Sequence, residues 1–298
     1  MKVTKGLKKA VSVDPSILTL GTFDGVHKGH KKIISKLTSE AKEYNLKSII
    51  LTFFPHPRSI ISDEKNIKSI NTLDEKIEIF GRLGLDELII QNFDKSFSEM
   101  SADEFIELIV NNLNLKKIIV GYNHRFGKNR SADIQVLKKF SLKYDFEVIE
   151  IKAFEIEKIK ISSTKIRNSI NDGNIDICNN YLGYNFNIKG EVVKGKKIGK
   201  SIGFPTANIR IDEKYKILPK NGVYIVTCFI DKEKYFGMLN IGYNPTFGLN
   251  EKTIEVNIFD FNKDLYGKIL KIDFLKFIRN EIKFDNAEML QNRLLEDR

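Results

Sequence analysis

The chain has 298 residues, 42% hydrophobic and 30% charged, with a formal net charge of +10 at pH 7; that length exceeds one typical core and predicts two domains. Two cysteines, with no Cys-x-x-Cys and no His-rich cluster, exclude a disulfide framework and a zinc site, and no apolar run approaches the roughly 18 residues of a membrane span. The lysines are interleaved with Asp and Glu along the whole chain, which argues for a solvated surface that attracts highly charged small ligands rather than for a nucleic-acid arm.

The start, Met1-Lys2-Val3-Thr4-Lys5-Gly6, lacks the apolar stretch of a signal peptide, so a cytoplasmic protein is expected. Strand patterns follow at Ile17–Leu20, Ser48–Phe53, Glu87–Ile90, Lys117–Val120 and Glu147–Ile151, with helical patterns between them such as Thr72–Arg82 and Ala102–Asn112. This alternation predicts a Rossmann-like parallel sheet with helices on both faces, whose ligands collect at the carboxyl ends of the strands. Candidate polar residues sit there: His27 after the first strand, Pro55-His56-Pro57 after the second, Asn92-Phe93 after the third, Gly121-Tyr122-Asn123 after the fourth. From about Phe186 the period changes to two, over Ile188, Glu191–Val193, Val223–Ile230, Tyr235–Ile241, Thr253–Phe259 and Ile269–Phe277. Gly, Asn and Pro turns separate these runs, which predicts a small antiparallel β-barrel. A last amphipathic helix, Asn286–Glu296, is expected to present Met289, Leu290 and Leu294 to it. The expected domains are therefore 1–183 and 184–298, divided near Leu182-Gly183-Tyr184-Asn185. Cys178 and Cys228 read as ordinary buried or half-buried thiols.

The string Gly21-Thr22-Phe23-Asp24-Gly25-Val26-His27-Lys28-Gly29-His30 joins the first strand to a helix. His27 and His30 fall on one side of a helical turn, Gly29 lets a ligand approach the backbone, and the helix N-terminus favours an anion. No Walker loop is present, so imidazoles and backbone must handle a phosphate; two surface histidines flanking a turn are the plainer alternative. At Ile161-Ser162-Ser163-Thr164-Lys165-Ile166-Arg167 hydroxyls open another helix. An ordinary N-cap explains the hydroxyls, but Lys165 and Arg167 oppose the helix dipole in its first turn, and a bound polyphosphate removes that conflict.

Together the two strings resemble the nucleotidyltransferase superfamily that moves AMP from ATP onto a phosphate, and Phe-Asp-Gly-Val-His-x-Gly-His resembles its FMN adenylyltransferase branch. The second half carries Gly190-Glu191-Val192-Val193-Lys194-Gly195 and Gly199-Lys200-Ser201-Ile202-Gly203-Phe204-Pro205-Thr206-Ala207-Asn208, then Asn240–Gly248, Thr253–Phe261, Leu265-Tyr266-Gly267 and Phe277-Ile278-Arg279-Asn280-Glu281. Their order and spacing resemble bacterial riboflavin kinase. Nearly the whole chain thus resembles the prokaryotic bifunctional riboflavin kinases and FAD synthetases, which phosphorylate riboflavin with ATP and then adenylylate FMN to FAD.

The resemblance implies roles for particular residues. His27 and His30 would stabilise the transferring phosphate, with Gly21, Phe23 and Gly29 shaping the loop. Ser162, Ser163, Thr164 and Arg167 would hold the β- and γ-phosphates, the arginine by its two-pronged fork. Pro55, Asn123 and Phe126 would meet the flavin, although Asn123 also suits a turn and Phe126 a core; His124 and Ala132 stand where many relatives carry an aromatic residue and a glycine. In the kinase half Glu255 alternates with apolar Ile254 and Val256, and the resemblance makes it the base; a solvent-facing strand Glu is the alternative. Gly199 and Gly203 would flank the ATP, Arg279 would lie near the flavin, and Thr206 and Asn208 offer the hard oxygens that Mg²⁺ or another divalent cation accepts, unless Pro205–Asn208 is only a turn. Riboflavin, FMN and ATP are the expected partners, with no nucleic acid or membrane and with weak self-association left open. A single-activity adenylyltransferase on another phosphorylated acceptor and a basic RNA-binding protein on the same scaffold are the rival functions.

Overall fold

The computed structural model describes residues 1–61, 67–122, 124–152, 155–156, 159–195, 203–231, 233–243, 252–284 and 286–298. The chain forms two compact units, Met1–Ser163 and Thr164–Arg298.

In the first unit β1 (Lys2–Lys5), β2 (Ser16–Leu20), β3 (Lys47–Phe54), β4 (Glu87–Asn92), β5 (Leu115–Gly121) and β6 (Glu147–Ile151) form one sheet, ordered β1-β4-β3-β2-β5-β6 with every neighbouring pair parallel. Successive side chains of a strand point to opposite faces, and a parallel sheet must cover both. Leu18 and Ile49 accordingly join one core with Phe105 and Ile109, whereas Ile17 and Ile50 join another with Ile34, Leu37 and Phe80. These helical residues come from α1 (Lys28–Glu43), α3 (Leu73–Gly81) and α5 (Ala102–Leu113); the unit also holds α2 (Pro57–Ile61), α4 (Lys95–Ser98) and α6 (Ile134–Tyr144). Thr72 and Ser101 start α3 and α5 with capping boxes to Glu75 and Glu104, which satisfies the first free N–H groups of each helix. A short ribbon of β7 (Glu155–Ile156) and β8 (Ile159–Lys160) follows. The edge strand β1 escapes sequence patterning because its buried residue is Thr4 while Val3 is exposed. The strand order reverses between β2 and β5, and a ligand crevice opens outside such a switch point. Gly21 leaves β2 at that place.

The second unit holds α7 (Ser163–Asp172) from its second residue, α8 (Ile175–Leu182) and a closed antiparallel barrel. Its strands are β9 (Asn187–Val193), β10 (Ala207–Arg210), β11 (Gly222–Ile230), β12 (Glu233–Tyr243), β13 (Lys252–Ile258) and β14 (Ile269–Arg279), ordered β10-β13-β12-β11-β14-β9. The Pro205–Asn208 string leads into β10 rather than turning, because Ala207 and Asn208 pair with β13. At Gly190 a Cβ would stand 2.5 Å from the Arg210 carbonyl, so only glycine lets β9 cross β10 this closely. Helix α9 (Ala287–Asp297) is capped by Asn286, whose side chain accepts the Met289 N–H at 2.9 Å. Leu290 and Leu294 face the barrel, but Met289 is exposed, one residue off that stripe.

Helix α8 is stitched to the barrel: Asn179 Nδ2 donates to the Phe274 carbonyl at 2.9 Å and its Oδ1 accepts the Phe186 N–H at 2.7 Å, with Cys178 and Leu182 fully buried. Burial pushes the thiols of Cys178 and Cys228 up to about 12, so both act as packing atoms and not as nucleophiles. A fragment beginning at Thr164 should therefore resist urea better than one beginning at Tyr184, by roughly 3 kcal/mol for the two buried side chains and the faces they cover. Circular dichroism on both fragments checks this, and equal midpoints would show that α8 adds nothing. No helix among the described residues is long and apolar enough to cross a membrane.

Candidate active sites

Beyond β2 the chain takes two left-handed steps at non-glycine residues, Phe23 at φ 46° and Val26 at φ 34°. Such conformations cost of order 1–3 kcal/mol each and persist only where the surroundings over-determine them. The surroundings here are specific. Asp24 Oδ1 accepts the Ile70 N–H at 2.9 Å, Lys76 Nζ donates to the Thr22 carbonyl at 3.2 Å, and Ser163 Oγ donates to the Asp24 carbonyl at 2.8 Å.

The loop delivers His27 as the N-cap of α1, where its Nδ1 accepts the His30 N–H at 3.2 Å. With Nδ1 accepting, a neutral His27 carries its proton on Nε2. The His30 ring stacks on His27 with centroids 3.6 Å apart and meets the Phe23 edge at 5.1 Å. Burial lowers His27 to about 4 and His30 well below the usual imidazole range, with His27 and Lys76 adding to the effect at His30. Near pH 7 both rings are neutral N–H donors, and His30 Nδ1 is buried without a partner among the described residues. Two solvated histidines beside a turn do not describe this pair, since His27 is only 5% exposed.

Of the other residues expected around the phosphates, Gly29 lies in the first turn of α1 and Ser162 just before α7. Ser163 spends its hydroxyl on Asp24, and Thr164 and Arg167, exposed and half-buried, belong by their contacts to the second unit. Pro55 follows β3. Phe126 is buried against Phe105, with centroids 6.2 Å apart, and so serves the core as well; Asn123 lies outside the described residues. His124 stacks on Phe126 at 6.1 Å, and burial lowers it to about 4.

In the barrel, register brings distant residues together. Asn208 pairs with Glu255, Glu255 with Asn240, Asn240 with Val223 and Val223 with Arg279. Residues directly opposite across antiparallel strands share a face, so this row crosses the strands β10, β13, β12, β11 and β14 on one side. Along β13, Ile254, Val256 and Ile258 are buried in the core, which turns Glu255 and Asn257 to the other face. A cavity of about 290 Å³ covers the row from Glu255 to Arg279, lined by Thr206, Asn240, Glu255 and Arg279 together with Phe284, Leu290 and Leu294, whereas Asn208, expected beside a metal, is not part of its lining. Thr206 Oγ1 donates to Glu255 Oε2 at 3.2 Å. The Arg279 fork closes on Asp297, with Nε at 2.8 Å and Nη2 at 2.6 Å from Oδ2, and so ties β14 to α9. The Asn208 amide lies against Gly195, where a Cβ would come 2.0 Å from Nδ2. Gly203 is left-handed at φ 82°, and Gly199 lies outside the described residues, as does 244–251.

Among the described residues no three His, Cys, Asp or Glu side chains converge on a metal site. Thr206 lines the cavity and Asn208 stands opposite Glu255 in the ladder, two hard oxygens of the kind that Mg²⁺ accepts together with water and substrate phosphates. Asp297 and Lys76 were not evident from motifs, and Asn240, which opens one of the kinase strings, carried no assigned role. The signal for Lys76 is a lysine on the apolar stripe of α3, in line with Leu73 and Phe80.

Two family models match the chain, FAD synthetase over residues 10–165 and riboflavin kinase over residues 182–298. Curated proteins called bifunctional riboflavin kinase/FMN adenylyltransferase align throughout. The one from Buchnera aphidicola subsp. Acyrthosiphon pisum is 37% identical over 100% of this chain and 96% of its own. That from Listeria monocytogenes is 37% identical over 94% and 90%, and that from Escherichia coli K12 33% over 100% and 96%. A Streptococcus pneumoniae crystal structure, described as a macrolide-efflux protein, superposes with a TM-score of 0.92 at 33% identity, over 100% of this chain and 97% of that one. With an α/β nucleotidyltransferase unit, a barrel kinase unit and full-length relatives of one name, the chain belongs to the family of bifunctional riboflavin kinases and FMN adenylyltransferases.

Proposed function

We propose that this chain phosphorylates riboflavin to FMN in its barrel and adenylylates FMN to FAD in its α/β unit, using one ATP at each step, in the cytoplasm. The cross-strand row that ends in a cavity at Glu255 carries the kinase reading. Glu255 takes the proton of the riboflavin 5′-hydroxyl as that oxygen attacks the γ-phosphorus of ATP and ADP leaves. The Thr206 hydroxyl occupies Oε2, which leaves Oε1 for the substrate. Thr206 and Asn208 would hold a Mg²⁺ that neutralises phosphate charge. Gly199 and Gly203 flank the nucleotide, and Arg279 faces the flavin end.

In the α/β unit an FMN phosphate oxygen attacks the α-phosphorus of ATP, and pyrophosphate departs. The neutral N–H groups of His27 and His30 receive the charge that builds on the equatorial oxygens. Gly21, Phe23 and Gly29 shape their approach, Ser162, Thr164, Arg167 and, by its backbone N–H, Ser163 would hold the leaving pyrophosphate, and Pro55, Asn123 and Phe126 would receive the flavin. The functional boundary is proposed at 183/184, just inside the riboflavin kinase match that begins at residue 182. Matches at both halves speak against an inert barrel and against an RNA-binding scaffold.

Incubation with riboflavin, ATP and Mg²⁺, followed by chromatography, is expected to show FMN first and FAD after it. FAD formed only from supplied FMN would reduce the chain to a single-activity adenylyltransferase.

A further inference from the structure

Lys76 is only 6% exposed, on the core-facing stripe of α3. A buried ammonium is tolerated only where other groups compensate its charge. Here that compensation comes from the loop carrying the histidines. Nζ donates to the Thr22 carbonyl at 3.2 Å and faces the carboxylate of Asp24, itself 2% exposed and bonded to the Ile70 and Asn71 N–H groups at 2.9 and 3.4 Å. Two left-handed residues, Phe23 and Val26, flank this anchor.

Burial lowers the Lys76 pKa below the usual lysine range and Asp24 pulls it back up. We infer that Lys76 is a positioning residue for adenylyl transfer: its ammonium, clamped on Thr22 and set against Asp24, holds the Phe23–Val26 turn and places positive charge near His30. The inference rests on the reading that His27 and His30 meet the phosphates. Two consequences separate it from mere packing. Loss of the clamp displaces the histidines, and a small displacement at a positioning group is costly in rate. Loss of the charge also makes a second proton easier to place on the pair. The titratable and charged groups facing His30 are His27 on its own turn and Lys76 from α3, while Asp24 faces both His27 and Lys76. Lys76 disfavours imidazolium at His30, so its neutralisation raises the pH at which the pair protonates and stops acting as neutral donors.

The test compares full-length wild type, Lys76→Met, Lys76→Arg and the His27→Ala/His30→Ala double variant, with thermal melting by circular dichroism as the check on folding and riboflavin phosphorylation as the check on each preparation. Lys76→Met is expected to lower kcat for FAD formation about 10- to 100-fold with KM for FMN within about twofold. The acid limb of its kcat profile should move up by about one pH unit, and Lys76→Arg should keep most of the rate. If Lys76→Met does not fold, Asp24→Asn/Lys76→Met removes both buried charges, and its loss of kcat at neutral pH with riboflavin phosphorylation retained is the readout, since Asp24 and Lys76 act oppositely on the imidazoles. Wild-type turnover, or an equal loss at every pH with the acid limb in place, overturns the role of Lys76. Continued FAD formation by the double histidine variant overturns instead the site reading beneath it.

Discussion

Glu255→Gln should lower FMN formation from riboflavin by about 10³-fold, within the range that a positioned general base contributes, and leave conversion of supplied FMN to FAD unchanged. The substitution keeps length and shape, and the Gln oxygen still accepts the Thr206 hydroxyl, so the cavity keeps its walls. Only the capacity to take a proton is removed. Glu255 lies off the barrel core, whose β13 members are Ile254, Val256 and Ile258, so the melting temperature should hold. Stopped-time assays with each flavin separately give both rates from one preparation. FMN formation near the wild-type rate would remove Glu255 as the base.

The double variant His27→Ala/His30→Ala should stop at FMN. One preorganised donor at a developing negative charge is worth about 10²–10³ in rate, and paired donors are not additive, so a loss of about 10³ is expected for the two together. Kinase turnover by the same chain should persist, because Glu255, Thr206 and Arg279 all lie in the other unit. A pH series supplies a second readout. His27 is held at about 4 in the folded chain against an ordinary 6.5, so the unfolded chain binds more protons between those values. Wild type therefore loses stability as pH falls from 6.5 toward 4, and the double variant should lack that part of the loss. FAD made at the wild-type rate by this variant would sink the assignment of the loop.

Much of this was legible in the sequence, for reasons that differ by element. The parallel strands were plain because Ile17–Leu20 and Ser48–Phe53 must be apolar on both faces, and α3 and α5 because Thr72 and Ser101 announce their capping boxes. Strand β1 was hidden by its buried threonine. β10 was hidden behind a Pro-Thr-Ala-Asn string that reads equally as a turn, its strand character deriving from partners on β9 and β13. Motifs named His27, His30, Thr206, Glu255 and Arg279 but gave no access to what holds them. Lys76 and Asp297 are ordinary charged residues in sequence, and only tertiary packing pairs them with Thr22 and Arg279.

The row from Asn208 through Glu255 and Asn240 to Arg279 makes the hydrogen-bond ladder itself the address of the kinase chemistry. A slip of β13 by a single residue would turn Glu255 inward and expose a core aliphatic, because side chains alternate along a strand. Correct pairing and a correctly turned base are thus one event. A ligand that binds this row only in its folded form adds its binding free energy to the pairing of β13, β12, β11 and β14. The substrate would then stabilise the very strand register on which its own turnover depends.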